Sequence, residues 1–195
     1  MSRGLGQKAQ NSSESPSKMH DLAFKSDDHR FGLTVPTSHW SELRNLCMAA
    51  GEMETGGILV GYYTREHDCA IVTEVSGPPA DTTAGKTWLQ RGVATLQSWL
   101  HELWTRRTHF YLGEWHYHPT GRANPSPTDI REMTRIARST RFRCPEPILL
   151  VVSGENGRFT PGAFVFLRSG DSVELRLKQT VPTASRTAKR HRLRG

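Results

Sequence analysis

Apolar residues recur along this chain with two periods. In TSHWSELRNLCMAAG, residues 37–51, Trp40, Leu43, Cys47 and Ala50 share one helical face. That spacing predicts an amphipathic helix against a core, with Ser38 as its N-cap, Glu42 nearby and Gly51 as its stop. RGVATLQSWLHELWTRRTHF sets Val93, Leu96, Leu100 and Leu103 on one face with Trp99 beside them, a second helix. SPTDIREMTRIARST predicts a third, with Ser126 as N-cap, Pro127 at the first helical position, and Ile130, Met133 and Ile136 facing inward. Alternating or continuously apolar runs, each bounded by turn residues, read as strands. They are RFGLTVP, ETGGILVGYYT, DCAIVTEVSG, FYLGEWHYH, PILLVVSG, GAFVFLRSG and SVELRLKQT. The predicted order is β-α-β-β-α-β-α-β-β-β. It points to an α/β (α+β) fold, a mixed sheet with flanking helices.

The ends differ from this patterned middle. Residues 1–29 are polar, rich in Ser, Lys and Asp, and carry too few branched apolar residues to offset the entropy of ordering. They are expected to be disordered or loosely ordered, ahead of a domain over 30–178. Residues 179–195 form a basic C-terminal tail. The net charge is +7, but residues 180–195 hold five Lys or Arg and no acid, so removing them leaves +2. A tail of that kind is ordinarily solvated, and its placement argues against nucleic acid as the partner. No run approaches the ~20 apolar residues of a membrane span. The N-terminus has no apolar core of a secretory signal, so the expected location is cytoplasmic. The three cysteines form no CxxC pair, which excludes a disulfide framework or a cysteine-rich zinc module. AGKT at 84–87 is not a phosphate loop, because the glycine that motif needs at position 80 is Ala80.

Residues 113–129, GEWHYHPTGRANPSPTD, hold the candidate chemistry. Alternate residues of a strand share a face, so His116 and His118 project together while Trp115 and Tyr117 point away. Two neutral imidazoles at that spacing suit one tetrahedral zinc, and Asp129 on the following helix offers a third ligand. Three protein ligands leave one position for water, the catalytic rather than the structural pattern. Each piece has a plainer account. An HxH can stand in a half-exposed strand for no purpose, and Ser-x-x-Asp before an apolar helix is close to a capping box.

The set taken together is more specific. HxHP, seven residues from His118 to Ser126, SxxD, and ETGGILVG upstream at 54–61 resemble the JAMM motif of MPN/JAB-domain (cytidine-deaminase-like) metalloproteases. The resemblance covers roughly residues 30–178. It implies that His116, His118 and Asp129 bind one Zn2+ ion per chain. It implies that Glu54 is the general base that activates water and then protonates the leaving amine. Ser126 would donate to the oxyanion. Glu114 and Glu52 are rivals for the base; Glu54 is preferred because the glycine pair and apolar strand follow it. The implied activity is that of an isopeptidase or peptidase cutting after the C-terminus of a ubiquitin-like protein or its conjugate. GEWHYHP is most similar to prokaryotic JAB proteins of antiviral defence operons, CBASS among them. There the conjugated target is a cGAS-like nucleotidyltransferase. In this family an insertion near the site usually holds the substrate tail by β-addition, and residues 77–90 are the expected flexible flanking loop. RadC-like proteins, which are linked to DNA, share the fold and a very similar HxHPxGxxxPSxxD loop. The ETGGILVG element and the confinement of charge to the tail favour the peptidases. A scaffold that has lost its metal would lack ligands, and here all are present.

Overall fold

The computed structural model describes residues 20–155 and 157–178. In chain order its elements are β1 (Leu22–Lys25), β2 (Gly32–Val35), α1 (Thr37–Ala50), β3 (Thr55–Tyr63), β4 (Ala70–Val75), β5 (Thr83–Ala84) and β6 (Leu89–Gln90). There follow α2 (Leu96–Arg107), β7 (Phe110–His118), α3 (Pro127–Arg138), β8 (Ile148–Glu155), β9 (Arg158–Phe166) and β10 (Ser172–Lys178). All seven expected strands and three expected helices are present. The sheet closes on itself in the order β1-β10-β9-β8-β7-β3-β4-β2. Its pairs are antiparallel except β2–β4 and β7–β8. The β7–α3–β8 crossover is thus a parallel unit with its helix on one face.

Three short strands lie where the sequence predicted none. Residues 22–25 fall in the segment expected to be disordered, yet β1 pairs with both β2 and β10 and closes the barrel. Leu22 and Phe24 enter the core. The polar composition around them hid two apolar residues that need only alternate once to cap a sheet. The rest of that expected segment, residues 1–19, and the basic tail 179–195 lie outside the described residues. Residues 77–90 are not a featureless loop either, because β5 and β6 pair as a short hairpin.

Two apolar clusters divide the strands' faces. One fills the barrel and takes in Trp40, Leu43 and Cys47 of α1. The other lies between the sheet and α2 and α3, with Ile58, Leu149, Val151, Met133 and Ile136 among its members. The helix faces need three corrections. Ser38 does not cap α1: Pro36 holds the cap position, and Asp21 Oδ1 accepts the Thr37 N–H at 2.8 Å from before β1. In α2, which begins only at Leu96, Val93 lies ahead of the helix and is exposed. Leu103 is buried there, while Leu96, Trp99 and Leu100 are partly covered. In α3, Ile130 is exposed because the inward stripe runs Asp129, Met133, Ile136 and Ala137. A polar residue holds the first inward position, and an apolar count misses it.

β7 carries the feature that aims the site. Leu59 of β3 faces Gly113 and Val60 faces Tyr111, so β7 has one residue more than its partner. A bulge of this kind changes which face the following residues occupy. Tyr111 belongs to the helix-side cluster and Leu112 to the barrel interior; beyond the bulge, Trp115 and Tyr117 point into the barrel. Glu114, His116 and His118 therefore face the helices. Gly113 makes this possible, with φ +152° and no room for a Cβ, which would lie 1.9 Å from the Ile148 carbonyl oxygen.

Two substitutions test the account. Gly113→Ala is expected to lower the unfolding free energy by about 2–4 kcal/mol, read from urea denaturation, through strain and backbone clash. Phe24→Ala is expected to cost about 3 kcal/mol if β1 belongs to the cooperative unit. A loss near zero would place residues 22–25 outside it.

Candidate metal centre and active site

The site is assembled from the end of β7 and the start of α3. His116 and His118 leave the same face of β7, as alternation requires. Ser126 caps α3 with a reciprocal pair: its Oγ accepts the Asp129 N–H at 3.2 Å, and the Asp129 carboxylate accepts the Ser126 N–H at 2.7 Å. The capping box is therefore real, and it aims Asp129 at the histidines. Asp129 Oδ1 lies 2.7 Å from His116 Nδ1, and Oδ2 lies 3.3 Å from His118 Nε2. One ligand atom from each of the three residues falls within 4.8 Å of the others. The plainer reading and the functional one are not rivals here, since the same contacts serve both.

All three side chains are buried, and so is Glu114. The Asp129 carboxyl pays for burial, but hydrogen bonds from both histidines and the Ser126 N–H hold it far below the usual range. His116 is likewise pulled down by burial and then raised to about 9 by the Asp129 and Glu114 carboxylates. Buried carboxylate charge facing two imidazoles is a donor set that a dication satisfies directly. Nitrogen and carboxylate oxygen are ligands that zinc accepts, and the convergence within one ion's reach completes the fit.

The three candidate bases separate clearly. Glu52 is exposed and tied to Lys86 at 2.6 Å. Glu114 is turned to the other edge of His116, with Oε2 at 3.2 Å from Nε2. Glu54 is half-buried at the entrance to β3, and its N–H donates to the Gly85 carbonyl of the hairpin at 2.9 Å. Burial pushes its carboxyl up from the ordinary range, against the pull of His118 and His116 and with the push of Asp129. Thr55 pairs with Tyr117, so the chain enters β3 at Glu54 beside the end of β7 that carries His118.

The glycine pair after Glu54 has a physical reason. Gly56 is the cross-strand partner of His116. A Cβ there would meet the Trp115 carbonyl oxygen at 2.6 Å and a Leu89 methyl at 2.8 Å. The bare backbone lets β3, β7 and the hairpin approach one another at the site. A cleft of about 1230 Å3 runs beside it, lined by Leu89, Leu96 and Leu100, by Thr128 and Glu132 of α3, and by His116 and Asp129. Arg91, which the sequence did not single out, enters this region and pairs with Glu114 at 2.6 Å. No local pattern signals it, because its partner is in a different element.

A closed mixed barrel with a buried His-His-Asp cluster, its Asp at a helix N-terminus, has the donor set of a metal-dependent protein. Residues 36–167 match the family model described as prokaryotic homologues of the JAB domain. The chain belongs to that family and is a JAMM-type peptidase. It is 36% identical over 166 residues to a protein of Enterobacter hormaechei subsp. hoffmannii (strain UCI 50) named CD-NTase/cGAS isopeptidase, covering 85% of this chain and 92% of that one. It is 29% identical over 117 residues to the probable metalloprotease y4qB of Sinorhizobium fredii (strain NBRC 101917 / NGR234), covering 58% and 71%. A CD-NTase/cGAS isopeptidase of Vibrio cholerae serotype O1 (strain ATCC 39315 / El Tor Inaba N16961) is 33% identical over 103 residues, covering 52% of this chain and 62% of that one.

The metal centre is directly testable. Purified protein is expected to hold about one zinc per chain by elemental analysis, and His118→Ala and Asp129→Asn to hold essentially none after dialysis. Zinc at a hundredfold excess over its Kd should stabilise the metal-free protein by about 2.7 kcal/mol. Neither variant should show that gain.

Proposed function

We propose that this protein is a zinc-dependent isopeptidase that cuts the bond after the C-terminus of a ubiquitin-like protein, releasing it from a conjugated lysine or a following residue. The observation that carries this reading is the convergence of His116, His118 and Asp129 beside the half-buried Glu54. Two relatives are named CD-NTase/cGAS isopeptidase, which supports a cGAS-like nucleotidyltransferase conjugate as the substrate; the antiviral, CBASS-type setting is the one that the resemblance of GEWHYHP implies. The domain is of the cytidine-deaminase-like JAB/MPN kind and runs from β1 to β10. No helix of the described residues is long and apolar enough to cross a membrane; the cytoplasm is the proposed location.

The residues divide the chemistry as follows. His116, His118 and Asp129 would hold one zinc ion, which when bound would supply a Lewis acid for the scissile carbonyl and an acidified water near neutral pH. Glu54 would be the general base that takes a proton from the attacking water and gives it to the leaving amine. Its half-buried place suits the task, because burial raises the carboxyl toward the working pH. Ser126 Oγ accepts the Asp129 N–H, which leaves its own O–H to donate to the oxygen that gains charge. A preorganised donor of this kind is worth about 3 kcal/mol. The cleft beside His116 and Asp129 is the proposed place for the substrate chain, and Leu89, Leu96 and Leu100 line it with apolar side chains.

Intact-mass analysis of a ubiquitin-fold protein joined to a target lysine tests the reading. Wild-type protein should release the free modifier. Glu54→Gln should lower the rate at least ~10²-fold with zinc still bound, and a zinc chelator should abolish cleavage. Cleavage that persists in Glu54→Gln, or with zinc removed, would overturn the assignment.

A further inference from the structure

Glu114 is the buried acid that neither the ligand set nor the base uses. Only 5% of it is exposed, on a face otherwise filled by the metal cluster and apolar side chains. Both its oxygens are engaged. Oε1 accepts from Arg91 Nη2 at 2.6 Å and from the Tyr111 hydroxyl at 3.4 Å. Oε2 lies 3.2 Å from His116 Nε2. The opposite edge of the same ring has Nδ1 at 2.7 Å from Asp129 Oδ1, and Asp129 in turn reaches His118. His116 is thus gripped at both nitrogens, and the edge away from the other two ligands is held by Glu114.

Arg91 is delivered by a segment that is tied to itself. Asp81 accepts the N–H groups of Val93 and Ala94 at 3.0 Å each, and Thr82 Oγ1 accepts that of Gly92 at 3.0 Å. A Cβ on Gly92 would lie 2.0 Å from Asp81 Oδ1, so the closure needs glycine there. Among the described residues Arg91 Nε is buried without a hydrogen-bond partner. The arginine has therefore given up hydration of one donor to place its Nη2 on Glu114.

We infer that Glu114 and Arg91 are positioning residues for the metal centre: Glu114 accepts the Nε2–H of His116 and so fixes the ring with Nδ1 toward the other ligands, and Arg91 holds Glu114 there from the 81–94 segment. The inference rests on the reading of His116 as a metal ligand. A histidine ligand whose second nitrogen donates to a carboxylate has a fixed tautomer and orientation, and removing such a carboxylate typically weakens metal binding 10–100-fold. In this chain the carboxylate is itself anchored by a different part of the fold. Metal affinity then depends on how the hairpin segment is seated.

The test is zinc titration of the metal-free protein against a chromophoric chelator, with the cobalt(II) absorption spectrum as a report on ligand geometry. Circular dichroism of each metal-free variant checks its fold. Glu114→Ala should bind zinc about 10–100-fold more weakly and shift the cobalt bands. Glu114→Gln, which keeps an acceptor and the shape, should lose less. Arg91→Ala should fall between, and Arg91→Lys should recover part of the loss. Asp81→Ala, remote from the ligands and exposed, should give a smaller loss in the same direction, which keeps the idea testable if a buried variant does not fold. Wild-type affinity and cobalt spectrum in Glu114→Gln, Arg91→Ala and Asp81→Ala, with zinc lost in His116→Ala, would overturn the positioning role alone. Wild-type affinity in His116→Ala would remove the ligand reading, and this inference with it.

Discussion

Opposite Leu59 and Val60 of β3, β7 carries one residue too many, and the strand's two faces exchange places at that point. Without the extra residue, the side of β7 that presents Tyr111 to the helices would present Trp115 and Tyr117 there as well. Both would lose the barrel interior, where Trp115 Nε1 donates to the Ser76 carbonyl at 2.9 Å and the Tyr117 hydroxyl donates to the Gly154 carbonyl at 2.9 Å. The histidines would be turned into that interior. A one-residue change of phase in a strand moves every side chain beyond it to the other face. The bulge therefore decides at once what fills the barrel and what meets α3.

The second dependence is electrostatic and local. Asp129 is at once the third residue of a capping box and the carboxylate between two imidazoles. The helix N-terminus offers it an N–H from Ser126, and the favourable end of the helix dipole lies in the same place. A buried carboxylate needs several such partners to be tolerated. The fold gives one of them from the backbone, the Ser126 N–H, and the two imidazoles supply the rest. Among the described residues Glu54 has no such set of partners, and its half-burial leaves the carboxyl easier to protonate.

Much of the site was legible because its signals are short-range. Alternation placed His116 and His118 on one face, and the Ser-x-x-Asp spacing placed Ser126 and Asp129 at a helix start. What could not be read depends on pairs distant in sequence. Asp21 serves the start of α1 in place of Ser38, β1 is a strand only because β2 and β10 flank it, and Arg91 finds Glu114 across 23 positions. The inward stripe of α3 was misread at Ile130 because its first member is Asp129, a polar residue buried for the sake of the histidines. The mixed sheet was expected, but closure was not, since alternation within a strand says nothing about which strand lies beside it.

Closure itself has a consequence for the protein's company. Every strand of the barrel has a neighbour on each side, so most of its amide and carbonyl groups are spent on pairs within the sheet and few are left to seed another. Among the described residues, stretches with one strand neighbour remain at 158–162 of β9, which pair with β8 alone, and at the two short strands of the hairpin. The hairpin is the stretch beside the site, since its Gly85 carbonyl accepts the Glu54 N–H, and an extended backbone seeking a strand partner there would lie next to that residue.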